Sequence, residues 1–377
     1  MNLAYRDVRY NFGRFLLTCL GLSLLMGVVL SMMGIFNGLI VDALTIVRAP
    51  QADIWVVEAN TRGPFAEASR IPGDTREAVA RLSGVMNAGS ITYQTVQTNV
   101  QGKKLRLYVI GFELNRPGQP LSIVAGRAIG RSHYELIADL GSGLQLGDRV
   151  HLGRNMFTVV GHTKNQVNSA GDPAAYITLL DAQELQFELA PAAARVQRAR
   201  GAGAESRDTV NAVIARVQRT VAPKTVAEAV RRWKHLVALT QTEQENILTR
   251  SVVDRVRRQI GLFMIILLTV SAVIIALIIY MMTMEKLKQI ATLKVIGASD
   301  RTIIGLIVQQ ALALGITGWA FGLVLVLNVK DYFPRRVVLE PQDPLILGLI
   351  IIIVCLIASS LGVRAALRVD PAQALGG

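Results

Sequence analysis

Four long stretches without a charged side chain constrain this chain more than anything else in it. They are residues 15–41, 260–284, 302–329 and 345–363. A helix rises 1.5 Å per residue and the hydrocarbon layer is about 30 Å thick, so about 20 apolar residues cross it. A buried core helix of comparable length carries a polar face, which these runs lack. The chain has 377 residues, 51% of them hydrophobic and 18% charged, with a mean hydropathy of +0.40. That balance is too apolar for an ordinary soluble enzyme and too charged for a chain wholly within lipid.

The spacing of the runs sets the domain plan. Residues 42–259 separate the first from the second, enough for a complete domain. The connections at 285–301 and 330–344 are short. The expected fold class is therefore an α-helical membrane protein with four transmembrane helices and a large α+β extracytoplasmic domain between helices 1 and 2. Residues 1–14 alternate apolar and charged side chains, as a short amphipathic surface helix does. The first run is too long for a signal-peptide core and reads as a retained anchor. Charge bias leaves orientation open: nine Lys and Arg flank the spans on the N-terminal side and eight on the other.

Within the large domain, residues 53–58 read as a strand, and Asp74 is placed to cap a helix. Residues 90–100 and 103–112 flank Gln101-Gly102 as a hairpin, and 149–152 and 156–161 flank residues 153–155 in the same way. A strand at 175–179 precedes a helical turn from Asp181, and 210–217 is a further strand. Residues 188–206, rich in Ala, Arg and Gly, read as a mobile connection within the domain. Residues 225–236 and 243–258 read as helices, the second a stalk (243–259) running into span two and closing a domain of residues 42–242.

Residues 42–259 hold 28 Lys and Arg against 20 Asp and Glu, an excess that suits anionic lipid or an acidic partner. No aromatic-interleaved basic stretch suggests nucleic acid. His133, His151, His162 and His235 lack metal-ligand spacing, there is no phosphate-binding P-loop, and no nucleophile–base set stands out. The reading is a non-enzymatic subunit without a cofactor of its own. Cys19 and Cys355 fall in apolar runs, so no structural disulfide is expected.

The connection at 285–301 is the most informative short segment. Leu287, Ile290 and Leu293 recur at helical spacing, with Lys286, Gln289 and Lys294 on other faces and Gly297 suited to a helix C-terminus. A helix so held between two spans can pass a push from a cytoplasmic partner into the bilayer. In the spans, Gly34/Gly38 and Gly318/Gly322 have the small-xxx-small spacing that lets backbones approach. Both a dimer contact and packing within one subunit fit that spacing. Asn37, Gln309, Gln310 and Asn328 are expected to form hydrogen bonds between helices.

The stretch EKLKQIATLKVIGAS resembles the signature of MacB/FtsX-like permeases, the type VII class of ABC transporters. The opening AYRDVRYNFGRFLLTCLGLSLLMGVV and the closing RAALRVDPAQAL are similar to that family's ends. ELIADLGSGLQLGDRVHLG, FTVVGHTKN and AAYITLLDAQEL resemble its extracytoplasmic domain. The Ala/Arg/Gly-rich stretch near 195–204 departs from the pattern, and no nucleotide-binding domain is fused, as in the stand-alone DevC-type members.

The resemblance implies cytoplasmic termini, an inner-membrane location and a periplasmic large domain. It implies a separate cytoplasmic ATPase holding ATP and magnesium, docked on Lys286, Gln289, Ile290, Leu293, Lys294 and Gly297. It also implies a permease homodimer, often with a periplasmic adaptor and an outer-membrane channel. Such machines work by mechanotransmission and export amphipathic, lipid-linked or hydrophobic substrates. A second reading is a signalling subunit relaying ATP hydrolysis to a periplasmic hydrolase or sensor without transport.

Overall fold

The computed structural model describes residues 12–65, 67, 69–100, 102–130, 133–191, 196, 208–250, 254–285, 292, 296, 299–333 and 335–367. Helix α1 runs over Phe12–Arg48, taking residues 12–14 into its first turn and continuing well past residue 41. The chain then enters the large domain, Leu39–Arg255, as one compact unit; Met1–Gly38 with Val256–Gly377 forms the other.

The domain's elements follow in chain order. Strand β1 is Ile54–Glu58, β2 Ile71–Pro72, and helix α2 Thr75–Ala80. Strands β3 (Val85–Val100) and β4 (Lys103–Phe112) are followed by β5 (Ala125–Gly126), β6 (Glu135–Asp139), β7 (Arg149–Leu152), β8 (Asn155–Thr163) and β9 (Ala174–Thr178). Helix α3 (Leu179–Leu189) precedes β10 (Thr209–Val210) and β11 (Ala212–Val217). Helix α4 (Pro223–Arg231), β12 (Leu236–Thr240) and α5 (Gln241–Leu248) complete it. Ten of the described strands make one sheet in the order β12-β1-β11-β3-β4-β9-β6-β8-β5, with β7 beside β8. Its pairs are antiparallel except β4–β9 and β6–β8.

Alternation along the strands divides the core. Ile54 and Val56 turn to one face, where Val79 of α2 and Val226 and Val230 of α4 cover them. Trp55 and Val57 turn to the other, against Ala43, Ile46 and Val47 of α1 and Leu248 of α5. A third cluster joins Val96, Leu107 and Val109 to Leu136, Val150, Phe157 and Leu185. The hairpin of β3 and β4 closes with Val100 opposite Lys103, and Gly102 (φ +80°) provides the left-handed residue such a turn needs.

Asp74 holds the N-cap position of α2, as expected, although its side chain makes no cap bond. Three local expectations are corrected. Helix α3 starts at Leu179 rather than Asp181, because the Thr178 hydroxyl accepts the Asp181 amide and caps it there. Residue 236 is not helical: α4 stops at Arg231 and Leu236 begins β12, paired with Glu58. The strand expected over 210–217 breaks at Asn211, whose side chain accepts from the Tyr93 amide and donates to the Ser69 carbonyl. The proposed mobile connection lies mostly outside the described residues, as do residues 251–253, on which the continuity of the stalk depends.

Glu243 anchors the start of α5. It completes a capping box with Thr240 and pairs with Arg231 at 2.7 Å. Burial raises its pKa, but the Thr240 amide, Arg231 and the Thr240 hydroxyl outweigh this and hold it below the usual glutamate value. Buried Asp139 goes the other way: desolvation raises its pKa despite hydrogen bonds from Gln166, Gly141 and Thr163.

Among the described residues the second unit holds three further long helices: α6 (Asp254–Glu285), α7 (Asp300–Val329) and α8 (Gln342–Leu367). With α1 they are four helices long and apolar enough to cross a membrane. Their shared core includes Leu22, Met26 and Leu30 of α1, Ile275 and Ile279 of α6, Ile307 and Leu314 of α7, and Ile351 and Cys355 of α8. Cys19 and Cys355 are both free and buried, with Cys19 against the Thr317 hydroxyl at 3.3 Å.

Candidate functional site

The small-residue pairs are sites of close backbone approach in the bundle. A Cβ on Gly318 would lie 3.1 Å from the Leu22 Cβ, and one on Gly322 2.9 Å from the Ser23 carbonyl oxygen, so α7 meets α1 through these two glycines. Gly34 and Gly38 face an extended strap at 335–341 that links the Lys330–Tyr332 turn to α8. A Cβ on Gly34 would strike Val337 and Leu339; one on Gly38 would strike the Arg336 carbonyl. The Val338 amide donates to the Gly34 carbonyl at 2.9 Å. All four glycines thus pack against their own chain.

That strap places a polar group inside an apolar setting. Asn37 Nδ2 donates to Asp343 Oδ2 at 2.6 Å, and the Glu340 amide donates to the same oxygen at 2.9 Å. Trp319 of α7 donates to the Pro344 carbonyl and fixes the start of α8 from the other side. Asn37 therefore bonds across the bundle, as expected. Asn328 does not: its amide donates to Val324 of its own helix.

Beside Asn37 and Asp343 opens a cleft of about 790 Å³ between α1 and α6. Met33 and Phe36 form one wall; Ile260, Met264 and Ile265 line the other, and Arg257 and Arg258 stand at the head of α6. Leu262, Ile265 and Ile266 are 59%, 67% and 49% exposed, so the α6 wall is open sideways to lipid. The arrangement can take an amphipathic molecule: an apolar body against α1 and α6, and an anionic group on the guanidinium pair. Sequence reasoning left this site unfound. Arg257-Arg258 is visible as the flank of a span, but its meeting with residues 37 and 343 depends on chain folding.

The other sequence-derived site is the segment between α6 and α7. Lys286, Gln289, Ile290, Leu293, Lys294 and Gly297 all lie outside the described residues.

Comparison with known proteins bears on the whole chain. The family model for the MacB-like periplasmic core domain matches residues 15–233, and that for the FtsX-like permease C-terminal region matches 261–371. This chain belongs to the MacB/FtsX-type ABC transporter permeases. An uncharacterized ABC transporter permease of Mycobacterium tuberculosis is 27% identical over 376 residues, covering 99% of each chain. A putative hemin transport system permease protein HrtB of Staphylococcus haemolyticus is 23% identical, over 100% of this chain and 99% of its own. The crystal structure of the periplasmic region of MacB from Actinobacillus actinomycetemcomitans aligns with 52% of this chain and 92% of its own, at 12% identity and a TM-score of 0.34. The permease is thus a multi-pass membrane protein whose large domain is extracellular to the bilayer.

Proposed function

We propose that this permease exports an amphipathic anion, driven by a separate cytoplasmic ABC ATPase that binds ATP and magnesium. The observation that carries the reading is the cleft between α1 and α6, with its apolar walls, its lateral opening and Arg257 and Arg258 at its head. Substrate enters from the outer leaflet and leaves on the extracytoplasmic side, so no charged path through the bundle is needed. Among the described residues the buried core of the four helices is apolar apart from a few hydroxyl and thiol groups, which suits that route.

The segment 286–297 receives the stroke of the ATPase and passes it to α6 and α7, so mechanical transmission rather than alternating access moves the substrate. The working unit is a permease homodimer in the cytoplasmic (inner) membrane, with an adaptor and an outer-membrane channel where the envelope has two membranes. The name of the staphylococcal relative makes hemin, a flat apolar ring with two carboxylates, the first probe to use.

The test is ATP-driven movement of hemin in vesicles holding the full chain and its ATPase. In the Arg257→Ala/Arg258→Ala variant, movement is expected to fall by about tenfold or more, the scale of one charge-assisted contact at about 1.5–3 kcal/mol. A variant that moves hemin as fast as the parent refutes the role of the cleft. A parent complex that hydrolyses ATP and moves no amphiphile refutes the export reading.

A further inference from the structure

The foot of the extracytoplasmic domain holds a second cavity, small and polar, unrelated to the cleft in the bundle. It encloses about 280 Å³ and begins one residue after α1 ends, with Ala49 and Gln51 in its wall. Four separate segments converge on it. The turn after α1 supplies Gln51; β3 supplies Asn87; the turn after β4 supplies Asn115, Arg116 and Gln119; and β11 supplies Arg216.

The two guanidinium groups are held from behind and keep donors in reserve. Arg216 donates through Nε to the Gln51 carbonyl at 3.0 Å and through one terminal nitrogen to Gln51 Oε1 at 2.7 Å. Its other terminal nitrogen has no protein partner among the described residues. Arg116 donates one terminal nitrogen to the Ala88 carbonyl at 3.2 Å and directs Nε to Glu113 at 3.2 Å, leaving its second terminal nitrogen likewise unused. Glu113 is also faced by Arg76, so it does not neutralise Arg116 alone. The side-chain amides of Asn87 and Asn115 make no hydrogen bond to the protein among the described residues. Asn115 and Gln51 both hold positive φ, +62° and +50°, which non-glycine residues adopt at a local cost.

From this we propose that the cavity is a binding site for a phosphate mono- or diester. Two guanidinium forks, one from the turn after β4 and one from β11, with side-chain amides in the same lining, match a tetrahedral anion that accepts from several directions; a planar carboxylate is satisfied by one fork. The lining offers little apolar surface for a hydrophobic body, which separates this site from the amphiphile cleft. Its place beside the end of a spanning helix admits two sources of the same chemistry, a phospholipid headgroup or a soluble phosphate ester. The inference does not depend on what the cleft exports.

The test uses the purified full chain in detergent. The soluble arm titrates glycerol 3-phosphate by calorimetry, with acetate at equal ionic strength as control. The lipid arm measures retention of dioleoylphosphatidylglycerol by native mass spectrometry. Saturable binding in either arm supports the site, and the arm that responds names the source. Asn115→Asp keeps the left-handed backbone, to which aspartate is also suited, and sets a carboxylate against the anion. It is expected to weaken binding by about tenfold or more with thermal stability unchanged. Arg116→Gln/Arg216→Gln is expected to abolish binding. Failure in both arms, equal response to acetate, or unaltered binding by Asn115→Asp overturns the proposal.

Discussion

Replacing Gly38 by alanine probes the geometry on which the cleft depends. In an open stretch of helix that change is favourable by about 1 kcal/mol, because glycine has the greater backbone entropy to lose. Here the new methyl falls on the Arg336 carbonyl, and the obstacle is backbone rather than a side chain that can swing aside. The strap must lift from α1. Overpacking of this kind costs about 1–3 kcal/mol. Lifting also strains the Val338–Gly34 hydrogen bond, about 1 kcal/mol, and the charged Asn37–Asp343 contact, about 1.5–3 kcal/mol if lost. Partial loss of these against the propensity gain leaves a net destabilisation of about 2 kcal/mol. At about 2–4 °C per kcal/mol for a large domain, thermal unfolding of the full chain in detergent should fall by about 4–8 °C. Gly21 lies in the same helix with nothing within 4 Å of its Cβ direction, so Gly21→Ala is the control and should leave the unfolding temperature unchanged or slightly raised. Equal unfolding temperatures for the two variants would refute the claim that α1 and the strap meet through Gly38.

Two further outcomes are expected. Ile290→Asp and Leu293→Asp should abolish permease-stimulated ATPase activity without lowering the unfolding temperature of the chain; stimulation at the parental level removes the coupling role of 286–297. Glu243 gives a pH signature. Its carboxyl is held below 4.5 in the folded chain, so the stability it contributes is present above that value and is lost as pH falls through the folded pKa. The stability gap between the parent and Glu243→Gln should therefore shrink on acidification below about pH 4.5 in chemical denaturation; a gap that stays constant from pH 7 to pH 3 contradicts the assignment.

The reading of the chain from its sequence succeeded where a signal is local and failed where it is not. The β3–β4 hairpin was legible because Gln101-Gly102 and the flanking alternation lie within a few residues of each other. Leu236 was misassigned because its pairing partner, Glu58, is far away in the chain, and the apolar spacing around it suits a helix as well as an edge strand. Strand β6 was not assigned as an element from its residues: three apolar residues between two acidic ones carry little periodicity, and its burial comes from β8 and β9 on either side.

What the sequence alone determined is where lipid and water must lie. Each long uncharged run has a transfer preference that depends on its own residues, so four spans and one large domain between the first two follow without knowledge of any contact. The two cavities were decided only by the tertiary structure. Asn37 and Asp343 stand 306 positions apart and Gln51 and Arg216 165 apart, yet each pair shares a hydrogen bond. Such pairings gain their free energy from groups brought together by packing, and no periodicity or spacing in a linear sequence encodes which distant groups those are.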